Sequence, residues 1–289
     1  YVKDGAREPI CVALIGESRT GKSRSLESFA REHEKTRLDD GIRSPILRIE
    51  VPAVPTVKNL AQLGLEGIGA PDWQKGTEND ISRRLAHLMV ECQVRVLMFD
   101  EFHHFVDKTS HRVQFHVADW LKNLVNETKV ALFVCGLPSL QAVIDQNEQL
   151  AGRFLAPIHM PRFDWFNDNH RSEWIAILGA FTEGVGTEFD LPALDSDDLA
   201  LRMYCATGGL MGYLTKTLNQ AVWNAVDAKS STITLADIQT AHHAAIWSKD
   251  RLHGLPNPFD PSLQLYPNPE LIAKSKLLGI PTERPVESK

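Results

Sequence analysis

The sequence predicts an α/β fold in which a mostly parallel five-stranded sheet lies between helices and precedes a small all-helical domain. Five short apolar runs alternate with amphipathic patterns of helical period, which is typical of a parallel sheet covered on both faces. A loop framed by glycines joins the first apolar run to the first helical pattern. From residue 169 to 249 the apolar periodicity is helical throughout.

The elements follow from these patterns in order. The apolar runs predict strands at residues 10–15, 46–51, 94–99, 130–135 and 156–160. A short amphipathic helix is predicted at 56–65, and another begins at Thr77, where Asp80 three residues on indicates a capping box. The polar run 33–44 is interpreted as a connection. Changes of composition predict three parts, namely a core at 1–165, a helical lid at 166–250 and a Pro-rich tail at 251–289 that orders against another surface.

Composition excludes several classes of protein. The chain of 289 residues is 43% hydrophobic and carries a net charge of −6, so it is not a polycation that binds nucleic acid through overall charge. No apolar run reaches the roughly 18 residues of a membrane span. The four cysteines lack C-x-x-C pairing, which indicates thiols in a reducing, cytoplasmic compartment. The start has neither an initiator Met nor a signal peptide, so we expect native residues upstream.

The strongest motif is GESRTGKS at residues 16–23, which fits the phosphate-binding P-loop pattern G-x-x-x-x-G-K-[ST]. A strand before it and a helix after it supply the context that the motif requires. The loop amides would hold the phosphates of ATP, Lys22 would reach the β- and γ-phosphates, and Ser23 would ligate Mg²⁺. A chance glycine turn with a surface lysine is the alternative. The predicted nucleotide-binding residues are Gly16, Glu17, Ser18, Arg19, Thr20, Gly21, Lys22, Ser23, Arg24 and Asp100.

A second motif is VLMFDE, an apolar strand that ends in Asp100 and Glu101. This Walker B arrangement predicts that Asp100 holds Mg²⁺ through water and that Glu101 polarises the water that attacks the γ-phosphate. Apolar strands often end in acids for structural reasons alone. The P-loop about 80 residues upstream favours the catalytic interpretation.

Together these motifs resemble AAA+ ATPases, and within that class the chain is similar to the TniB/TnsC family of bacterial transposition regulators. The resemblance covers roughly residues 10–225 and rests on the two motifs above together with KGT, DEFHHF, CGLPS and LAGRF. It implies an ATPase that uses ATP and Mg²⁺ to form rings or filaments of its own copies on duplex DNA. It also implies a bacterial, cytoplasmic protein that recruits a transposase and connects it to a TniQ-type target-selection protein.

The resemblance also assigns the residues that respond to the nucleotide. Arg153 matches the arginine that such ATPases lend to a neighbouring subunit, where it stabilises transition-state charge. Local pairing at a helix end is the alternative for Arg153, and Arg162 is the fallback arginine. Where a polar sensor is usual, this chain has Cys135 at the strand end with Ser139 nearby, and Tyr213 or Lys216 replaces a lid arginine. These departures predict slow hydrolysis, and an arginine supplied by a neighbouring subunit would make hydrolysis depend on assembly.

Five residues are candidates for contacts with DNA phosphates. The resemblance assigns two of them, Lys58 and Thr77, while Lys75 is adjacent and the other two lie in the polar loop after the Walker B strand. Each alone is interpreted as an ordinary surface residue. As a set along the inner surface of a ring, they would add up phosphate contacts over several subunits, and such contacts read no base sequence. The five residues are Lys58, Lys75, Thr77, Lys108 and Arg112. 

Two adjacent histidines, His103 and His104, suggest a metal site. Neighbouring histidines at a helix start point in different directions, and the spacing offers no third ligand. A structural or switch-coupling role is therefore predicted.

Two other functions share these features. A nucleotide-gated protein-interaction switch would use the same ATP site without touching DNA. A replicative helicase loader would share the fold and the ring assembly. Dependence of assembly on duplex DNA separates the first alternative from a transposition regulator.

Overall fold

The structure is a computed structural model that describes residues 9–39, 41–107, 110–145, 148–246, 255 and 257–280. The chain divides into two compact units. The N-terminal unit comprises residues 1–17 and 22–160, and the C-terminal unit comprises residues 161–289 together with 18–21 of the P-loop. In the described part of the chain, no helix has both the length and the apolar character that crossing a membrane requires.

A parallel five-stranded sheet forms the centre of the N-terminal unit, as predicted. Its strands are β1 (Cys11–Ile15), β4 (Ile46–Glu50), β5 (Val96–Asp100), β6 (Ala131–Gly136) and β7 (Ile158–His159). Their order is β4-β5-β6-β1-β7, and every neighbouring pair is parallel. The middle strands are almost entirely buried on both faces, which is why they are continuous apolar runs rather than alternating ones. Parallel strands place all their carboxyl ends at one edge of the sheet.

Seven helices of this unit are described. They are α1 (Lys22–Arg31), α2 (Val57–Ile68), α3 (Glu78–Glu91), α4 (His104–Asp107), α5 (His111–Thr128), α6 (Leu140–Asp145) and α7 (Glu148–Ala151). The core contains apolar side chains of the sheet and of α2, α3 and α5. Thr56 and Thr77 cap the starts of α2 and α3, each in a complete capping box. The predicted helix starts are therefore correct to the residue.

Helices α2 and α3 run in the same direction. α2 leaves the carboxyl end of β4, and an added Cβ at Gly67 would lie 2.8 Å from the Leu47 side chain near the start of that strand. α3 ends beside the amino end of β4, where the Ser44 amide donates to the Cys92 carbonyl. An added Cβ at Gly64 would lie 2.8 Å from the Leu85 side chain. Gly64 in α2 and Leu85 in α3 are equally far from the first residues of their helices, so the two helices lie side by side in the same direction. Both helices consequently begin at the carboxyl edge of the sheet.

The run 33–44 is not the plain connection that its polar composition predicts. It contains an antiparallel hairpin of β2 (Thr36–Leu38) and β3 (Gly41–Arg43). Nearly all its residues are exposed, Leu38 and Ile42 among them. A three-residue strand without a buried face has no period-two apolar pattern, so composition alone cannot reveal it.

The C-terminal unit is helical, as predicted. Its described helices are α8 (Asp168–Gly186), α9 (Asp197–Thr207), α10 (Met211–Asp227), α11 (Leu235–Ala245) and α12 (Pro269–Lys276). The described residues of the Pro-rich tail belong to the same core, where Phe259 and Ile272 are almost fully buried. The Arg202 guanidinium binds the tail by donating to the carbonyls of Pro258, Asp260 and Leu263. The surface on which the tail orders is thus formed by the other helices of the C-terminal unit.

Candidate nucleotide-binding site

The P-loop lies between the carboxyl end of β1 and the first residue of α1. The Gly16 amide donates to the Gly136 carbonyl at 3.2 Å, which fixes the start of the loop against the end of β6. Gly21 has φ 108°, a conformation that side chains rarely adopt, and Arg19 has φ 69°. The second glycine of the motif is therefore required by the backbone.

Lys22 points back across the loop that precedes it. Its Nζ donates to the carbonyls of Gly16 at 2.9 Å and Glu17 at 2.6 Å. Burial lowers the pKa of the Lys22 ammonium, and the nearby carboxylates Glu101 and Asp100 act against that shift. A buried cation at the mouth of a glycine-framed loop fits the phosphate chain of a nucleotide.

Asp100 is the most constrained carboxylate of the site. It is only 2% exposed, and each of its oxygens has a partner. Arg48 Nη2 donates to Oδ2 at 3.0 Å, and the Glu101 amide donates to Oδ1 at 2.9 Å. A buried carboxylate beside the P-loop fits the magnesium-holding role, with Arg48 supplying the compensating positive charge.

Glu101 adopts a left-handed backbone conformation with φ 55°. This turn carries the side chain away from the strand direction, and Oε2 lies 3.1 Å from Nδ1 of His103. The Phe102 amide donates to the Cys135 carbonyl at 2.8 Å, which ties the turn to the end of β6. The carboxylate is about one-third exposed, so water has access to it.

The remaining predicted nucleotide-binding residues differ in exposure. Thr20 is buried, Ser23 is half-buried, and Ser18 is exposed. Arg24 is exposed and pairs with Glu27 one turn along α1 at 3.1 Å.

Cys135 and Ser139, the two residues at the predicted sensor position after β6, differ in burial. Cys135 is fully buried, and burial together with the neighbouring Asp100 raises the pKa of its thiol to about 12. It is therefore a neutral thiol beside the Asp100 carboxylate. Ser139 is half-buried.

Within the C-terminal unit, Arg19 of the P-loop contacts the start of α10. Its guanidinium lies 4.9 Å above the Tyr213 ring, and its carbonyl accepts from the Gly212 amide at 2.8 Å. An added Cβ at Gly212 would lie 2.8 Å from the Arg19 side chain. Tyr213 thus contacts the P-loop arginine, whereas Lys216 is exposed.

Arg153 and Arg162 are the two candidates for the arginine that acts on a neighbouring subunit's nucleotide. Their surroundings differ. Arg153 is half-buried and donates to Asn126 Oδ1 at 2.5 Å. Arg162 is buried in the C-terminal unit, where it donates to the carbonyls of Gly208, Lys276 and Leu278. These bonds give Arg162 a structural role, so it is a weaker candidate than Arg153 for acting on a neighbouring subunit's nucleotide.

Among the DNA candidates, Lys58 lies exposed in the first turn of α2 and Arg112 in the first turn of α5. Lys75 is exposed and pairs with Asp72 at 2.9 Å. Thr77 is the N-cap of α3 and donates to Asp80 Oδ2 at 2.6 Å. Lys108 lies outside the described residues.

The prediction that the two histidines lack a third ligand is wrong. Glu101, His103 and His104 each place one potential ligand atom within 4.8 Å of the others. The left-handed turn at Glu101 brings its carboxylate back toward the histidines, and spacing alone does not reveal that turn.

Arg48 was not singled out by the sequence analysis. The signal available was a lone basic residue inside the apolar run ILRIEV. A positive charge in a buried strand requires a partner, and the parallel register places that partner, Asp100, on the neighbouring strand.

Solved structures of the same fold include Cdc6p from Pyrobaculum aerophilum, with TM-score 0.60 at 14% identity over 85% of this chain and 64% of that chain. ORC2 from Aeropyrum pernix, in ADPNP–ADP complexes, matches with TM-score 0.55 at 14% identity over 86% and 65%. ORC1 from Aeropyrum pernix, in complex with DNA, matches with TM-score 0.54 at 16% identity over 86% and 64%. This chain therefore spans slightly less than two thirds of each of them, and the likeness is one of fold.

Among curated protein sequences, none is significantly similar to this chain. The family model described as "Bacterial TniB protein" matches residues 2–165, which is more than half of the 289 residues. The chain therefore belongs to the bacterial TniB family, and its fold is the one seen in Cdc6p.

Proposed function

We propose that this ATPase binds Mg²⁺ and ATP, assembles on duplex DNA, and regulates transposition by linking a TniQ-type target-selection protein to a transposase. The observation that carries the proposal is a TniB-family chain in which the P-loop, Asp100 and Glu101 meet at one edge of a parallel sheet. The ORC1 chain of the same fold was solved in complex with DNA, which is compatible with a DNA-associated role.

In this proposal the nucleotide site works through charge placement. Ser23 and Asp100 would hold Mg²⁺, which when bound would supply positive charge to the phosphate chain. Lys22 leaves the two loop carbonyls and donates to the phosphates instead. Glu101 accepts a proton from the attacking water, for which its partial exposure leaves room.

Arg153 is proposed to act on the nucleotide of a neighbouring subunit. Phe154 bridges to Cys11 at the amino end of β1, whereas the P-loop follows the carboxyl end of that strand. Five residues at about 3.3 Å each separate the two ends, a distance that an arginine side chain does not span. Its own P-loop is therefore out of reach, and hydrolysis would depend on assembly.

The proposed DNA surface is the edge at which α2 and α3 begin. Because these two helices run in the same direction, Lys58 and Thr77 lie at the same end of the pair. Helix starts present amides and positive dipole ends, which suit phosphate oxygens and read no base sequence. The net charge of −6 restricts binding to such a local surface.

The test is electron microscopy of the protein with ATP and Mg²⁺, with and without duplex DNA. We expect rings or filaments only when the duplex is present. Glu101→Gln should retain ATP and accumulate assembled protein, because it loses the proton acceptor but keeps Lys22 and Asp100. Assembly that is equal without DNA would support a nucleotide-gated interaction switch and contradict the proposal.

Lys58→Ala supplies the second arm of this experiment. It should weaken duplex binding, measured by fluorescence anisotropy, while leaving ATP binding intact. Lys274→Ala is the matched control, because it removes one exposed positive charge from α12. Unchanged duplex affinity in Lys58→Ala would exclude the proposed surface.

A further inference from the structure

Three side chains of the DEFHHF segment converge on one point. Glu101, His103 and His104 each offer a ligand atom, and these atoms all lie within 4.8 Å of one another. Among the residues that the structure describes, this is the only such group of three His, Cys, Asp or Glu side chains. His103 is buried, and the other two are partly exposed, so the group is reachable from solvent.

The backbone holds this group in place. Glu101 has φ 55°, and the His104 amide donates to the Glu101 carbonyl at 3.1 Å, which closes the turn. Gly136 at the end of β6 packs against His103, where an added Cβ would lie 3.1 Å from the His103 amide nitrogen. The geometry is thus set before any ion arrives.

The donor atoms suit a zinc-like cation. Glu101 Oε2 and His103 Nδ1 are 3.1 Å apart, close to the roughly 3.3 Å expected between two ligands at about 2.0 Å from a tetrahedral ion. His104 Nδ1 lies 2.9 Å from the Val51 carbonyl and donates to it, which leaves the lone pair on Nε2. Two imidazoles and one carboxylate favour zinc, cobalt, nickel or copper over magnesium, which prefers oxygen ligands.

We propose that Glu101, His103 and His104 form a binding site for a divalent transition-metal cation of the zinc class, and that the bound cation inhibits ATP hydrolysis. The inhibition rests on the proposed role of Glu101 as proton acceptor. A cation coordinated to the carboxylate occupies the electron pair that would take the proton from water. The magnesium site at Ser23 and Asp100 stays separate, because its ligands are different residues.

The test is a Co²⁺ titration of the full chain without nucleotide, followed by its visible absorption, and a Zn²⁺ titration by calorimetry. We expect 1:1 binding with the intense d–d absorption of a tetrahedral cobalt site. His104→Gln and Glu101→Gln should each weaken binding at least about tenfold, since each removes a ligand. His116→Gln is the matched control, because His116 Nε2 also lies beside a glutamate, Glu78, at 2.8 Å, while no third candidate ligand joins them among the described residues.

Circular dichroism and ATP binding establish that each variant is folded. Failure of the wild-type protein to bind Co²⁺ or Zn²⁺ at micromolar concentration overturns the site, as does undiminished binding in both ligand variants. Inhibition of the ATPase by micromolar Zn²⁺ at fixed Mg·ATP is expected in the wild-type protein. If the metal binds but Glu101→Gln hydrolyses ATP normally, the proposed role of Glu101 fails and the metal site stands.

Discussion

At the scale of single residues, Arg48 and Asp100 form a buried ion pair at the proposed magnesium site. The guanidinium lies 3.0 Å from Oδ2 of a carboxylate that is 2% exposed. A buried carboxylate without a counter-charge would be costly, and Arg48 neutralises it. In the proposed function Arg48 competes with Mg²⁺, since both cations would require the same carboxylate.

Arg48→Gln is therefore expected to lower the Mg²⁺ concentration for half-maximal ATPase activity. A shift of about tenfold, equivalent to about 1.4 kcal/mol, is in the range of one charged hydrogen bond. The measurement is a Mg²⁺ titration at saturating ATP. Arg83→Gln is the control, because its ion pair with Asp80 is exposed. A midpoint that rises instead would show that Arg48 is needed to hold Asp100 in position.

At the scale of elements, two of the described helices begin with the same Thr–Asp capping box. Thr77 and Asp80 form it on α3, and Thr234 and Asp237 form it on α11 in the C-terminal unit. In each box the threonine hydroxyl donates to the aspartate, at 2.6 Å on α3 and 2.7 Å on α11. These bonds lower the pKa of both aspartates. Thr77 thus has a structural role in addition to its proposed contact with DNA.

Thr77→Ala and Thr234→Ala separate these roles. Each should lower the free energy of unfolding by about 1 kcal/mol, because each removes a helix cap. Only Thr77→Ala should also weaken duplex binding. Urea denaturation measures the first effect, and fluorescence anisotropy measures the second. Equal duplex affinity in the two variants would restrict Thr77 to its capping role.

The sequence predicted elements well where the local pattern decides them. Strands β1, β4, β5 and β6 and the starts of α2 and α3 follow from apolar runs and capping residues within a few positions. The hairpin β2–β3 was missed because its six residues are almost all exposed and show no apolar alternation. Its pairing is a contact across a turn, which composition does not encode.

At the scale of the whole molecule, the C-terminal unit joins the lid helices and the tail in one core. His242 lies inside this core, with Nε2 3.1 Å from the Ala206 carbonyl and its ring against Phe259 of the tail. Burial lowers the pKa of His242 to about 4 from an ordinary value of 6.5. The folded protein therefore keeps this imidazole neutral where the unfolded chain takes up a proton.

The free energy of unfolding should fall as the pH is lowered from about 6.5 to about 4. In that window the unfolded state binds the proton and the folded state does not, so protonation favours unfolding, by about 3 kcal/mol at most. Thermal denaturation of the wild-type protein and of His242→Gln measures the effect. The variant should show a shallower dependence on pH, whereas His87→Gln, at an exposed position of α3, should retain the wild-type one. Identical slopes in all three proteins would contradict this assignment.

The sequence by itself determined the fold class, the P-loop and the Walker B pair, because periodicity, glycine spacing and capping are local properties of the chain. The tertiary structure decided which distant side chains share a site. The pairing of Arg48 with Asp100 depends on the register of two parallel strands. The convergence of Glu101 with His103 and His104 depends on one left-handed residue held against β6. The packing of the tail depends on the hydrogen bonds that Arg202 donates to carbonyls of the tail. The Arg48–Asp100 pair and the packing of the tail are contacts between residues far apart in the sequence, and the turn at Glu101 is tied to the end of β6. Local sequence patterns do not specify any of the three.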